Sequence, residues 1–340
     1  MRIRNFIILI VSILCYVYVI HWQFLIYMIL SGIVLLIDKL DKSLIKRALS
    51  CFTVLLLICG FPILKGFSAG IIYGYSVFSF SAISYIVDQS RNKKNYSAID
   101  TLIYLFFFPK MMAGPIVRAA DFIPQLSTMD MKLTSIYKGG KLLIYGFFLK
   151  MIIADNILYS TIDGTGLNLL MQSIIFGIQF YIDFYSYSII AVGLALCLGI
   201  TISYNFDNPY SAKSFRDFWK KWNITLSSWL KDYIYIPLGG NRKSKYITQF
   251  NVLITFIISG LWHGLSFPFI FWGMCHGFLV NVEKYFSLEH RLKNITLKFG
   301  YRAIIITTTM LLWQLFRFET FDDIIRYCND LFQYSKFNEM

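Results

Sequence analysis

An all-α polytopic membrane protein is the fold class this sequence predicts, and three observations predict it. Of its 340 residues, 57% are hydrophobic and only 15% are charged, against about 25% charged in an ordinary soluble chain. Apolar runs long enough to cross roughly 30 Å of hydrocarbon recur from one end to the other. The Lys and Arg residues behind the formal net charge of +13 sit in short segments between those runs, the positive-inside pattern of a multi-pass protein. They form no separate basic domain, so the lipid bilayer is an expected partner and nucleic acid is not. The expectation is one integral membrane domain over residues 1–340, with roughly eight to ten spans.

The N-terminus, MRIRNFIILIV, has the two Arg and apolar core of a signal peptide, but no small-residue cleavage site follows. An uncleaved first span with a cytoplasmic N-terminus is expected. Residues 5–37 carry no charge; as one helix they would be roughly 50 Å long, too long for an ordinary span. His21-Trp22-Gln23 is expected to turn the run into a hairpin of two short spans. Lys39, Lys42, Lys46 and Arg47 then return the chain to the cytoplasm. Two further spans, near 49–64 and 68–87, lead to a second basic loop with Arg91, Lys93 and Lys94. Both loops fall on the same side of the membrane, so the counting is self-consistent.

The next apolar run is interrupted by Pro109 and by Gly114-Pro115, and Lys110 lies within it. Proline removes a helix donor, and irregular backbone at membrane depth survives only where protein or a water-filled cavity covers it. Residues 100–118 therefore read as a broken or re-entrant element, with a merely kinked span as the alternative. A span near 141–155 leads to the Gly-rich loop TIDGTGLNLL, which has no basic residue and is expected outside. The span at about 171–200 contains Asp183, the one charged residue between Asp163 and Asp207. A carboxylate there must be paired, protonated or facing water. Either it pins neighbouring helices through Tyr and Ser hydroxyls or it lines a working tunnel.

Between residues 212 and 246, Lys213, Arg216, Lys220, Lys221, Lys231, Arg242, Lys243 and Lys245 face only Asp217 and Asp232. Phe215, Phe218, Trp219, Trp222, Leu226, Trp229, Leu230 and Tyr233 recur at helical spacing. One continuous apolar stripe predicts a helix lying in the cytoplasmic interface or dipping into the protein. It is either an anchor on anionic headgroups or the floor of a pocket for a phosphate-bearing ligand. Residues 248–282 then carry no Lys, Arg, Asp or Glu, only His263 and His276. Ser259-Gly260 and Gly264 permit close backbone approach, and Pro268 marks a bend. A basic segment follows (Lys284, Arg291, Lys293, Lys298, Arg302), then a last span at about 303–316 ending at Arg317, and an acidic amphipathic tail.

The chemistry-bearing residues are few. No phosphate-binding glycine loop, nucleophile elbow or zinc helix is present. His21, His263, His276 and His290 lack metal-site spacing, and no metal is expected. Cys15, Cys51, Cys59, Cys197, Cys275 and Cys328 are scattered without a CxxC pair and read as small buried hydrophobes. What remains is an imidazole, His263, in an apolar wall, beside the polar set Asn223, Thr225, Ser227 and Ser228 and a cationic rim. A titratable group in a low-dielectric span is costly and is read as functional by default. Neutral imidazole can take a proton from an acceptor hydroxyl as that oxygen attacks an acyl carbonyl, with Asn or Ser donors on the developing oxyanion. A structural histidine bonded to a backbone carbonyl fits the composition equally well.

Six segments occur in a recognisable order: FSAISYIVD (80–88), FFPKMMAGPIVR (107–118), YIDFYSYS (181–188), NFDNPYSAKSFRDFWKKWN (205–223), LSSWLKDYIYIPLGGNR (226–242) and SGLWHG (259–264). With them the chain resembles the membrane-bound O-acyltransferase (MBOAT) family, in its bacterial alginate, peptidoglycan and polysaccharide O-acetyltransferase branch. The resemblance covers about residues 70–317, leaving the spans of about 5–64 peripheral. It implies an MBOAT-like helical bundle in the bacterial cytoplasmic (inner) membrane, with re-entrant and interfacial helices and a tunnel through the bilayer. It implies an acyltransferase with His263 of the WHG motif as catalytic residue. An acyl donor, acetyl-CoA, would enter from the cytoplasm with no bound cofactor. A cell-surface glycan hydroxyl or an extracytoplasmic partner acetyltransferase would accept on the other side. Within the matching segments Trp222, Asp183, Tyr187, Ser188, Arg118, Ser259 and Trp262 are expected along the tunnel. Lys220, Lys221, Lys231 and Arg242 are the expected contacts for donor phosphates.

Two departures qualify the resemblance. Relatives in this branch commonly read RRWHIS where this chain reads KKWNIT, so Asn223 stands where a second histidine would be. Asn cannot exchange a proton, so Asn223 is expected to position a substrate or donate to an oxyanion. The chain is also short for the branch, which implies reduced N-terminal spans. Two other readings stay open. One is a D-alanyl or other acyl transfer to teichoic acid, against which the IPLGGNR segment speaks. The other is a permease or scaffold that kept the fold, suggested by the missing histidine and opposed by the intact WHG. His276 is the alternative base.

Overall fold

The computed structural model describes residues 2–40, 44–66, 74–158, 169–286 and 294–337. The loop expected outside at 161–170, the start of the span near 68, and His290, Arg291 and Lys293 fall wholly or mostly outside the described residues. Among the described residues there is no strand; a chain in hydrocarbon satisfies its backbone within helices. Three helical stretches there are long and apolar enough to cross a membrane: Ile3–Lys39, Leu169–Cys197 and Ile295–Arg317. The chain divides into two compact units, Met1–Gly146 with Tyr187–Tyr204, and Phe147–Ser186 with Asn205–Met340.

The first unit holds α1 (Arg2–Ile20), α2 (Phe24–Lys39), α3 (Leu44–Gly66), α4 (Tyr75–Arg91), α5 (Ala98–Phe106), the single turns α6 (Ala119–Phe122) and α7 (Gln125–Thr128), and nearly all of α8 (Leu133–Phe147). The expected break after α1 is a 3-10 turn at His21–Gln23, with His21 at φ 49°. The rings of Tyr16 and Tyr27 meet at 5.7 Å across it, whereas a straight helix would separate them by roughly 16 Å along its axis. These rings, with Phe78 and Phe106, are fully buried and pack edge-on, Tyr16 on Phe106 at 5.3 Å and Tyr27 on Phe78 at 4.9 Å.

Residues 107–118 are broken, not kinked. Helix α5 stops at Phe106, and a 3-10 turn at Phe108–Lys110 and extended backbone precede α6. Protein covers this stretch: Lys110 is fully buried, donates to Ser81 Oγ at 2.9 Å and lies 4.3 Å over the Tyr104 ring. Tyr104 in turn donates to the Val117 carbonyl at 3.0 Å. The freed backbone and the buried charge are thus both met from inside the chain.

The second unit begins with a π-helical stretch, Phe148–Leu158, and continues with the first part of α9 (Leu169–Cys197), α10 (Phe215–Lys221), α11 (Ile224–Leu230), a π turn (Lys231–Tyr235), α12 (Lys245–His263), α13 (Phe267–Phe286), α14 (Ile295–Trp313) and α15 (Phe321–Phe337). The single interfacial helix expected from the apolar stripe is instead two short helices. Trp222 is extended and Asn223 takes φ 41° between them. The segment before α10 holds this break open: Asn205 O accepts from Ile224 N at 2.8 Å, and Asn205 Oδ1 accepts from Thr225 Oγ1 at 2.5 Å. The break lets Trp222 turn inward, where it stacks on Phe218 at 5.5 Å and meets Trp313 at 4.7 Å in a core of aromatic rings.

Helices α12 and α13 form an antiparallel pair whose glycines touch the opposite backbone. A Cβ on Gly260 would strike the Phe269 carbonyl, and one on Gly273 the Phe256 carbonyl. Asp183 on α9, read as either pinning helices or lining a tunnel, has a charged partner on another element. It pairs with Lys150 of the π stretch at 2.5 Å, and Lys150 also meets Asp155 at 2.7 Å.

Candidate active site

A cavity of about 980 Å³ lies within the second unit, at the upper end of the range for small-ligand sites. Several consecutive elements between Arg216 and Lys284 wall it, and local sequence explains their placement. Helix α10 starts at the cap Ser214, whose hydroxyl accepts from Asp217 N at 2.9 Å, and it presents Arg216, Trp219 and Lys220. The left-handed break presents Asn223; its side-chain amide makes no hydrogen bond within the described chain, and the residue is 7% exposed. Asparagine tolerates that backbone region better than most side chains.

The π turn presents Lys231 and Tyr235; its extra residue is registered by Ile236 N donating to Lys231 O at 2.9 Å. Burial raises the Tyr235 phenol above its ordinary pKa, and Arg216 opposes that shift. The IPLGGNR segment then reverses the chain through Gly239 and Gly240, at φ 109° and 56°, a region glycine enters without steric cost. Asn251 of α12 donates to the carbonyls of Leu238 and Gly240 at 3.2 and 3.1 Å. This fixes the turn and carries Arg242 to the cavity rim.

On α12 the lining positions are Val252, Thr255, Phe256 and Ser259, one helical face at spacings of three and four. The next position on that face is His263. It does not itself line the cavity; it lies one turn beyond Ser259, partly buried at the end of α12. Its ring meets Phe316 at 4.7 Å and Trp272 at 5.3 Å, both edge-on, and Trp262 at 4.3 Å. His276, fully buried on α13, lies behind Trp219 and accepts from its indole N–H at Nδ1, 3.3 Å away.

The sequence-expected residues thus sort by position. Asn223, Ser259, Lys220, Lys231 and Arg242 meet at the cavity, with His263 and Trp262 just beyond it. Trp222 belongs to the aromatic core rather than the wall. Lys221 is turned aside, paired with Asp217 at 3.5 Å and donating to Ser211 Oγ at 3.0 Å. Asp183 is held by Lys150. Arg118, Tyr187 and Ser188 belong to the first unit, and none of them lines the cavity. Sequence reasoning missed Arg216, Glu283 and Lys284 as lining groups. The acid directly follows the charge-free run 248–282 and sits beside Lys284, where only the basic residues had been read. Among the described residues no cluster of His, Cys, Asp or Glu could hold a metal ion.

The profile of the MBOAT, membrane-bound O-acyltransferase family, matches residues 72–321. The chain belongs to the membrane-bound O-acyltransferase family. This MBOAT chain, a multi-pass membrane protein, is 33% identical over 258 residues to the probable alginate O-acetylase AlgI of Azotobacter vinelandii, covering 73% of this chain and 51% of that one. It is 34% identical over 239 residues to the peptidoglycan O-acetyltransferase of Helicobacter pylori, covering 67% and 45%. It is 26% identical over 233 residues to the teichoic acid D-alanyltransferase of Bacillus subtilis, covering 63% and 59%. The chain spans about half the length of these relatives.

Proposed function

We propose that this MBOAT chain is an O-acetyltransferase of the bacterial cytoplasmic membrane, with its N-terminus in the cytoplasm. It takes acetyl from a cytoplasmic thioester, acetyl-CoA, through a tunnel across the bilayer. The acceptor is a hydroxyl of a cell-surface polysaccharide or of an extracytoplasmic partner acetyltransferase. His263 is the general base. It removes the acceptor hydroxyl's proton as that oxygen attacks the thioester carbonyl; the C–S bond breaks, and the leaving thiolate takes the proton. Such a positioned base contributes typically 10²–10⁴-fold. Asn223 donates to the substrate or to the oxyanion, Ser259 and Trp262 shape the approach to His263, and Lys220, Lys231 and Arg242 hold the donor's phosphates.

One observation carries this reading. The face of α12 that walls the cavity through Ser259 leads, one turn on, to His263, while the other elements supply Arg216, Lys220, Lys231, Arg242 and Lys284. The acetylating relatives, at 33% and 34% identity, support acetyl as the group transferred. The D-alanyl relatives at 26% identity support the second reading, D-alanyl transfer from a carrier protein. Purified protein in liposomes, offered labelled acetyl-CoA in one arm and a labelled D-alanyl carrier in the other, separates them. Label reaching a glycan acceptor from acetyl-CoA alone supports acetylation; label only from the carrier selects the runner-up. Label from neither overturns both.

A further inference from the structure

Among the described residues Glu283 is the one acid that lines the cavity, with Arg216, Lys220, Lys231, Arg242 and Lys284. A carboxylate placed there should pair with one of those cations, yet it does not. It is 5% exposed, and its oxygens are taken by other donors. Oε1 accepts from Phe215 N at 2.9 Å and from the Tyr301 hydroxyl at 2.5 Å, and Oε2 accepts from Arg216 N at 3.1 Å. Glu283 sits on α13, Phe215 and Arg216 open α10, and Tyr301 sits on α14. One buried carboxylate therefore joins three helices at the cationic end of the cavity.

Two consequences follow from that geometry. The first amides of α10, which would otherwise be orphan donors attractive to an anion, are already filled by an internal anion. A ligand's negative groups are then left to the basic side chains. The second consequence is rotational. Arg216 is anchored by its own N–H, and Trp219 and Lys220 stand one turn further on, so the Glu283 tie sets how that face of α10 is turned toward the cavity. The charge-assisted bonds that do this are the stronger kind.

We propose that Glu283 is a positioning residue for donor binding: by clamping the first turn of α10 against α13 and α14 it holds the Arg216–Trp219–Lys220 face toward the anionic part of the acyl donor. This rests on the acyl-transfer reading above, and the test separates the two. Glu283→Gln keeps the volume and turns one acceptor into a donor, which in either amide orientation faces a backbone N–H, of Phe215 or Arg216, that has no lone pair to offer. Two readouts are taken on the full chain in detergent. Hydrogen exchange reports the amides of Phe215 and Arg216 directly, whatever the protein's activity. Steady-state kinetics with acetyl-CoA report KM and kcat separately.

The expected result is faster exchange at Phe215 and Arg216 together with a KM for acetyl-CoA raised roughly tenfold, a loss of about 1.4 kcal/mol of binding, and kcat within about twofold. Tyr301→Phe removes one of the three donors and should move both readouts in the same direction by less. It serves as the second variant should Glu283→Gln not fold. Unchanged exchange at Phe215 and Arg216 overturns the tie. Faster exchange with unchanged KM reduces Glu283 to a packing group and overturns the positioning role. A fall in kcat at constant KM overturns it as well, by placing Glu283 in the chemistry. Wild-type protein that neither binds nor turns over acetyl-CoA overturns the acetyl-CoA reading and with it the positioning role for that donor, while the exchange result still decides the tie itself.

Discussion

The indole N–H of Trp219 points at Nδ1 of His276, 3.3 Å away. An indole can only donate, so Nδ1 is the acceptor and the imidazole is neutral with its proton on Nε2. That Nε2 is buried and meets no hydrogen-bond partner among the described residues. His276 therefore steadies the cavity wall from behind. His276→Ala should lower acetyl transfer by roughly tenfold, far less than loss of a general base. His276→Gln, whose amide oxygen can accept from the indole, should recover most of the rate. Initial rates of the two variants decide it; equal collapse of both would make His276 the base.

The rim cations should act through donor affinity. Lys231 and Arg242 are exposed, where a charge contact contributes about 0.2–1 kcal/mol. Lys231→Ala and Arg242→Ala should each raise the KM for acetyl-CoA by up to about fivefold, an effect that fades with added salt. Lys221→Ala is the control, since its charge is engaged with Asp217 at 3.5 Å and its KM should not move. A Lys221 effect as large as that of Lys231 would contradict the arrangement.

Asn223 holds the left-handed break and is proposed to donate to substrate or oxyanion; substitutions separate the two. At φ 41° a branched side chain is strained by roughly 1–2 kcal/mol. Asn223→Val should unfold at lower temperature, measured by fluorescence-detected size exclusion after heating. Asn223→Gly keeps the backbone and should retain wild-type stability while losing transfer. Full activity in the glycine variant would leave Asn223 only its turn.

The glycine contacts between α12 and α13 set the position of the WHG end. A side chain on Gly273 must displace the Phe256 carbonyl, and overpacking of this kind costs about 1–3 kcal/mol. Gly273→Val should reduce stability and activity together, unlike Asn223→Gly. Gly32, with nothing within 4 Å of an added Cβ, should accept alanine without loss.

Much of this was written in local residue patterns. His21-Trp22-Gln23 in the middle of an overlong apolar run marked a turn, and Pro109 with Gly114-Pro115 marked broken backbone; both are punctuation that hydrocarbon makes costly. The WHG end of α12 was legible because an imidazole is rare in a charge-free run. The break at Trp222–Asn223 was not, because the apolar stripe keeps its helical period straight through it. The force that breaks it comes from Asn205, 18 positions before Asn223. Asp183 was recognised as needing a partner, yet Lys150 lies 33 residues away on another element. Glu283 was likewise invisible, since its partners are two backbone amides on a helix far earlier in the chain and the Tyr301 hydroxyl on the next helix.

The most direct test is His263→Ala in the full chain, scored by transfer of label from acetyl-CoA to surface glycan alongside expression and membrane insertion. The account predicts normal insertion with transfer reduced by roughly 10²–10⁴-fold. Normal insertion with wild-type acetylation would contradict it, leaving His263 as one more ring in an aromatic wall.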